Sequence, residues 1–422
     1  MILSLNRANL FALFLLFTTL LPAQEVITIE ECQQLAIAQS SANVQKELNT
    51  QLLRVKLNDV SSHYYPTLEI NGAVAYVSEM PQLPTECLGF QKMDNDLYNV
   101  TLSFRQVVFD GLRATYGRKR ERLLNKNEIS KLDISINQIK EQVISIYLNL
   151  LIIEKQITIL SSVENTFDEQ SDQLKALLKA GVVYGNTIAQ FELEGLKIQQ
   201  QKDELQAMKE SLKSSLSILT ARDMSNLSFT MPELPVIENN TNSSRYEFSI
   251  FKNQMESLDY QRKLHVSNSL PQIAFFATGG YGYPTYNLLN NNFDWFYSVG
   301  FQFKVPLIDW VKTKGVSDII KLQSSILKSQ ESDFEKANQI AIQEKLNEIN
   351  KIENLLVLDK QITQKYQEIK QTASTQLLNG TITALDFIKQ QNDEVQSIIA
   401  QEMHTIQLLK AKYELLALKG KL

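Results

Sequence analysis

The sequence predicts a mainly helical, internally duplicated chain in which long antiparallel coiled-coil helices carry two β-hairpins of membrane type. Three observations lead there. Period-two alternation sets Tyr98, Val100, Leu102 and Phe104 against Asn99, Thr101, Ser103 and Arg105, and it returns in Trp295, Tyr297, Val299, Phe301 and Phe303 against Phe296, Ser298, Gly300, Gln302 and Lys304. Asp110 corresponds to Asp309, and Gly181 to Gly380, at one common shift, which marks a duplication. After each alternating stretch a helical run extends from Leu112 to about Leu178 and from Val311 to about Leu377, roughly 100 Å each at ~1.5 Å per residue.

In chain order, residues 1–23 have the layout of a secretory signal peptide. Arg7 precedes an apolar run over Leu10–Leu21, too short for the ~20 residues of a spanning helix, and a small residue stands before Gln24. No cysteine occupies a lipid-attachment position behind it. Cys32 and Cys87 are the only two in the chain, which argues against a disulfide framework. The formal net charge is -5, with no basic stripe of the kind that nucleic acid requires. Only 14 glycines and 9 prolines among 422 residues favour long helices over loops.

Mature structure begins at Thr28, whose spacing to Glu31 is that of a reciprocal helix cap, and a helix is expected from there to about Ser61. Tyr65-Pro66 ends it. Thr67 to Glu79 is the first strand of a hairpin, with Leu68, Ile70, Val74 and Tyr76 on one face, and Leu97 to Phe109 is the second. In the second half, Gln272 to Tyr283 presents Ile273, Phe275, Tyr281 and Tyr283 on one face. Strands of ~9–11 residues suit a transmembrane barrel, and since four strands are fewer than the about eight of the smallest barrels, several chains would have to share one.

In the first long helix Leu132, Ile136, Ile139, Val143, Ile146, Leu150, Ile153, Ile157 and Leu160 step by fours and threes, a seam that needs a partner helix. A less regular seam runs through Ile349, Ile352, Leu355, Leu358, Ile362, Tyr366 and Ile369 in the second. Helices from about Tyr184 to Thr220 and Thr383 to Leu418 return the chain. The expected organisation is a leader (1–23), a first repeat (24–222) with its hairpin at 67–109, a linker (223–245), and a second repeat (246–422) with its hairpin at 272–306. His63, His265 and His404 are scattered, and no metal-binding spacing or nucleophile elbow is present. No enzyme activity, cofactor or metal is expected.

Taken together, the opening ITIEECQQLAIAQS, the strand entry YYPTLEINGAVAY, the strand-to-helix passage VVFDG and the turns after Gly181 and Gly380 resemble the TolC-like outer-membrane efflux proteins over essentially the whole mature chain. The resemblance implies a homotrimer in which each chain gives four strands to one twelve-stranded outer-membrane barrel, continued by a helical tunnel in the periplasm. It implies an exit duct of a tripartite efflux or type I secretion system, served by an inner-membrane transporter and a periplasmic adaptor protein. Tyr98, Val100, Leu102, Phe104, Trp295, Tyr297, Val299, Phe301 and Phe303 would face outer-membrane lipid. Asp386 would stand at a periplasmic gate. Lys389 occupies a position where the family's gates carry a second acid, and Ile382 one where a basic residue can occur. Gly181, Val182, Val183, Tyr184, Gly380 and Thr381 would form the turns on which adaptor hairpins dock. The competing reading is a periplasmic coiled-coil adaptor without a pore; the duplication and the membrane-type strands speak against it.

Overall fold

The computed structural model describes residues 25–80, 93–179, 185–235, 244–287, 291–307 and 310–422. The leader, Cys87, Asp309 and the turn residues Gly181, Val182, Val183 and Tyr184 lie outside them. Strand β1 (Val26–Ile27) leads into helices α1 (Ile29–Gln39) and α2 (Ser41–Ser62). A hairpin of β2 (Thr67–Tyr76) and β3 (Asp96–Phe109) follows, then α3 (Arg113–Lys179) and α4 (Gly185–Thr220). The second half repeats the order with β4 (Ser228–Phe229), α5 (Tyr246–Ser267), β5 (Gln272–Tyr283), β6 (Asp294–Lys304), α6 (Trp310–Leu378) and α7 (Ala384–Leu418). Corresponding helices match in length: α2 and α5 have 22 residues each, α3 and α6 have 67 and 69, and α4 and α7 have 36 and 35.

The Thr28–Glu31 cap forms as expected, each side chain accepting the other's backbone N–H. The single helix expected from Thr28 to Ser61 does not form. Ser40 is extended (φ -67, ψ 133), its hydroxyl accepts the Ala42 N–H at 3.1 Å, and Asn43 Nδ2 donates to the Ile37 carbonyl at 2.8 Å. A second N-cap therefore restarts the helix as α2. Strand β2 also stops at Tyr76, short of Glu79.

Two compact units form, each from stretches of both halves. One takes residues up to Asn43 with Ile134–Arg245 and Ala337–Leu422; the other takes Val44–Asp133 and Tyr246–Lys336. The first is helical. Its main core gathers Ile27, Ile29 and Cys32, the stretch around Val143–Leu151 of α3, Leu216 of α4 and Ile406 and Leu409 of α7. Tyr147 is fully buried there. Its hydroxyl lies 2.9 Å from the Ile27 carbonyl and 2.8 Å from that of Thr230, and accepts the Thr230 N–H at 3.0 Å. Burial pushes the Tyr147 phenol up to about 12, and burial likewise raises the free Cys32 thiol to about 12. Beside them Lys213 Nζ donates to the Ser225 and Leu227 carbonyls at 2.7 and 3.3 Å, and desolvation lowers its pKa.

The α3 seam behaves as its spacing predicts, with every position at least half-buried. The α6 seam does so only in part, at Ile349, Ile352, Leu355 and Tyr366. Ile349 and Ile352 pack on Leu408, Ala411 and Leu415 of α7, but further on Asp359 and Thr363 are buried while Leu358, Ile362 and Ile369 are exposed. Here His404 Nδ1 of α7 meets Asp359 of α6 at 2.6 Å, so it is the polar side of α6 that faces α7 at this point.

In the second unit α2, α5 and the adjoining ends of α3 and α6 pack beside a four-stranded sheet in the order β2-β3-β5-β6, antiparallel throughout. Lys46 reaches Asp133 at 2.5 Å, Asn125 donates to the Asn49 carbonyl at 2.8 Å, and Phe248 meets Phe334 edge-on at 5.2 Å. Apolar stripes remain uncovered at Val44, Leu48, Leu52 and Val55 of α2 and at Ile319, Leu322 and Ile326 of α6.

Candidate functional site

Strand register divides the sheet into two unlike faces. Leu68 pairs with Phe104, Ile70 with Leu102, and Val74 with Tyr98; Val100 pairs with Tyr281, and Tyr281 with Trp295. Phe275–Phe301, Ala277–Val299, Gly279–Tyr297 and Ile273–Phe303 complete the same face. All nine residues expected to face lipid thus share one side. Paired residues of an antiparallel sheet project together, so the face is apolar from edge to edge, and it is bare: Tyr297 is 82% exposed and Trp295 77%. The opposite face is mainly polar, with Thr67, Glu69, Asn71, Asn99, Thr101, Ser103, Arg105, Ser298, Gln302 and Lys304, and with Phe276 and Phe296 among them. Direct pairing of β3 with β5 makes one sheet of the two hairpins. Strands β2 and β6 are its open edges among the described residues.

The passage from strand to helix is a built corner. Gly111 has φ +69, and a Cβ there would stand 2.7 Å from the Ser267 carbonyl oxygen. Asp110, 6% exposed, accepts the Tyr64 hydroxyl at 2.7 Å and the N–H groups of Arg113 and Ala114 at 3.1 and 2.7 Å, capping α3. Burial, reinforced by that carboxylate, raises the Tyr64 phenol to about 12. The sequence marked Asp110 as a mark of duplication but did not disclose this role.

In the helical unit the α6–α7 turn forms the second feature. Gly380, at φ +68, ends α6: its N–H reaches the Leu377 carbonyl at 3.0 Å and Thr381 N–H reaches that of Gln376 at 2.9 Å. Thr383 then caps α7. Its hydroxyl donates to Asp386 Oδ2 at 2.6 Å, Thr383 N–H donates to the same oxygen at 3.2 Å, and Asp386 N–H returns to the hydroxyl at 3.2 Å. The Thr383 hydroxyl first, then its N–H, hold the Asp386 carboxyl below its usual range, and the charge of Lys389 adds a smaller pull. Asp386 and Ile382 line a hollow of about 340 Å³ with Glu368, Ile369, Gln376 and Gln390. Lys389 is exposed on α7 and makes no ion pair among the described residues.

Behind this turn lies a cluster that sequence reasoning missed. Phe191 of α4 stacks on Phe387 of α7 at 5.9 Å and meets Phe167 of α3 edge-on at 5.5 Å. Leu174, Ala373, Leu377 and Ala384 close around the three rings, so α3, α4, α6 and α7 share one core here. No spacing links phenylalanines on three separate helices; only Phe387, three residues beyond Ala384 in an apolar stripe, carries a periodic signal.

The duplicated long helices and the four-stranded antiparallel sheet are those of the TolC-like fold. Solved structures share it over most of their length. The outer membrane protein VceC of Vibrio cholerae superposes with a TM-score of 0.70 at 11% identity, over 93% of this chain and 96% of that one. The outer membrane channel CmeC of Campylobacter jejuni gives 0.69 at 14% identity, over 93% and 85%. The open-state outer membrane channel MtrE of Neisseria gonorrhoeae gives 0.68 at 13% identity, over 93% and 88%. No family model and no curated protein matches the sequence.

Proposed function

We propose that this chain is the outer-membrane exit duct of a tripartite efflux or type I secretion system, a passive conduit for cargo delivered by an inner-membrane transporter through a periplasmic adaptor. The observation that carries the reading is the sheet: one face largely apolar and exposed, the other mainly polar, with two open edges among the described residues, in a chain of TolC-like fold. So large an apolar surface on a folded chain calls for lipid or a partner, and alternation across each strand is the pattern of a barrel with lipid outside and water within.

Four strands do not close a barrel, so we read the assembly as a homotrimer with one twelve-stranded barrel in the outer membrane and a helical tunnel in the periplasm. The bare stripes of α2 and α6, and the outward Leu358, Ile362 and Ile369, supply apolar faces for neighbouring copies. Residues 1–23 would be removed on export, and 24–222 and 246–422 would be structural repeats about the 223–245 linker, which the matched helix lengths support. Asp386, with Ile382 and Lys389, is our candidate gate; three copies would bring three carboxylates together, where like charges favour bound cations or protons. Gly181 to Tyr184, with Gly380 and Thr381, are the candidate adaptor-docking turns. A periplasmic adaptor would have no use for a second strand hairpin with a bare apolar face.

The deciding experiment is single-channel recording in a planar bilayer of the mature protein and of Asp386→Ala. A small wild-type conductance that rises in the variant supports both the pore and the gate. Equal, sizeable conductances keep the duct and remove Asp386 as gate. Folded protein without current refutes the duct and favours the adaptor.

A further inference from the structure

Where β2, β3 and β5 meet the helices, a cavity of about 450 Å³ opens, lined by His63, Thr67, Arg105, Asp110, Arg113 and Gln272 among others. Asp110 is the only carboxylate among its described lining residues, and it is already committed to Tyr64, Arg113 N–H and Ala114 N–H. The side chains of His63, Arg105 and Arg113 pair with no carboxylate among the described residues. Because Asp110 occupies the start of α3, the helix end itself offers an anion little; the free donors are the guanidinium groups.

Register fixes the side of the sheet concerned. Thr67 pairs with Arg105, Arg105 with Phe276 and Gln272 with Lys304, all on the polar face. The nearest acid along that face is Glu69, opposite Ser103. At the far end of that face stands Asp294 instead, opposite Gly282. That face is therefore basic where it joins the helices, at Arg105 and Lys304, and carries an acid, Asp294, where β6 begins.

We propose that His63, Arg105 and Arg113 form a docking site for an anionic group, a carboxylate, phosphate or sulfate, carried by a solute moving along the polar face. The inference rests on reading that face as a water-filled passage. Guanidinium groups bind planar oxyanions through paired N–H donors. Rings of arginine and lysine confer anion preference on pores, provided that each site binds weakly enough to release. These arginines are exposed, which suits brief residence rather than capture.

The full-length protein is titrated with pyrophosphate by calorimetry, and it is also recorded in bilayers of phosphatidylcholine and of phosphatidylglycerol under a KCl gradient. The pair Arg105→Gln and Arg113→Gln is expected to weaken pyrophosphate binding by about tenfold and to lower chloride-over-potassium permeability by about threefold, in both lipids. The Lys pair at the same positions should keep most of both, and thermal unfolding should be unchanged. Equal binding and equal selectivity in the Gln pair overturn the site. An effect confined to phosphatidylcholine overturns the solute in favour of a lipid headgroup. Folded wild type that passes no current refutes the duct, and calorimetry then decides the site alone.

Discussion

Replacing Phe387 by alanine tests whether rings hold the ends of the helical pairs together. Phe387 is fully buried, stacks on Phe191 at 5.9 Å and 14°, and through it joins Phe167 at 5.5 Å and 70°. Removing a buried phenylalanine side chain costs about 3–5 kcal/mol, of which ring pairing supplies about 0.5–1.5. Further along, α7 is anchored by separate cores around Ile406, Leu409 and Leu415, so the loss falls on its first turns. Local opening of the stretch from Ala384 to Val395 should become about a hundred to a few thousand times more frequent, at ~1.4 kcal/mol per tenfold. Hydrogen exchange read by mass spectrometry measures it, with Phe387→Leu as control at about 1.5 kcal/mol or less. Faster exchange confined to this stretch, graded alanine over leucine, is the expected result. Alanine behaving like leucine, or equal acceleration around Val143–Leu151, would refute the clamp.

Other outcomes follow from the same geometry. Because the Asp386 carboxyl is held below its ordinary value, its contribution to the start of α7 is complete above the ordinary carboxylate value near 4 and is lost as pH falls through the depressed one; acid should fray that turn first, and Thr383→Ala should flatten the dependence in an exchange titration. Gly111→Ala meets a left-handed backbone, costing about 1–3 kcal/mol, on top of its clash with Ser267, and should lower the unfolding temperature. Val299→Lys on the apolar face should cost about 2–4 kcal/mol if that face meets the bilayer midplane and reduce the yield of membrane-inserted protein, whereas Ser298→Lys on the polar face should insert normally; equal yields would sink the assignment of faces. Tyr147→Phe leaves the Thr230 N–H without its acceptor and should destabilise the helical unit by about 1–3 kcal/mol in denaturant unfolding.

The features legible in the sequence are those written at short range. Alternation fixed the faces of β2, β3, β5 and β6 because side-chain direction in a strand depends only on parity. The caps at Thr28 and Thr383 could be read for the same reason, each bonding within three residues. Ser40 shows a local signal overlooked: a serine followed by an apolar-periodic run is itself a helix start. The pairing of β3 with β5 was not readable, since the register of strands far apart in sequence is set by tertiary packing. In α6 the seam misled because the side facing α7 there carries Asp359, in contact with His404, and Thr363 rather than Leu358 and Ile362. At the gate candidate, Asp386 came from family resemblance, while its observed hydrogen bonds are those of a cap. The Phe167–Phe191–Phe387 cluster and the basic cavity at the sheet junction join residues from separate elements, so nothing periodic announces either.

The parallel pairing of β1 with β4 governs the order in which this chain can fold. Val26 and Ile27 sit at the start of the described chain, yet their partners are Ser228 and Phe229, and Tyr147 bridges both segments. A chain threaded out of a translocation pore amino end first presents β1 long before β4, and closing so large a loop carries an entropic cost that local helices do not face. Val26 and Ile27 must therefore wait, unpaired, until Ser228 and Phe229 have emerged. Their docking then marks completion of the first half, so a chain truncated before Phe229 would leave β1 without a strand to join.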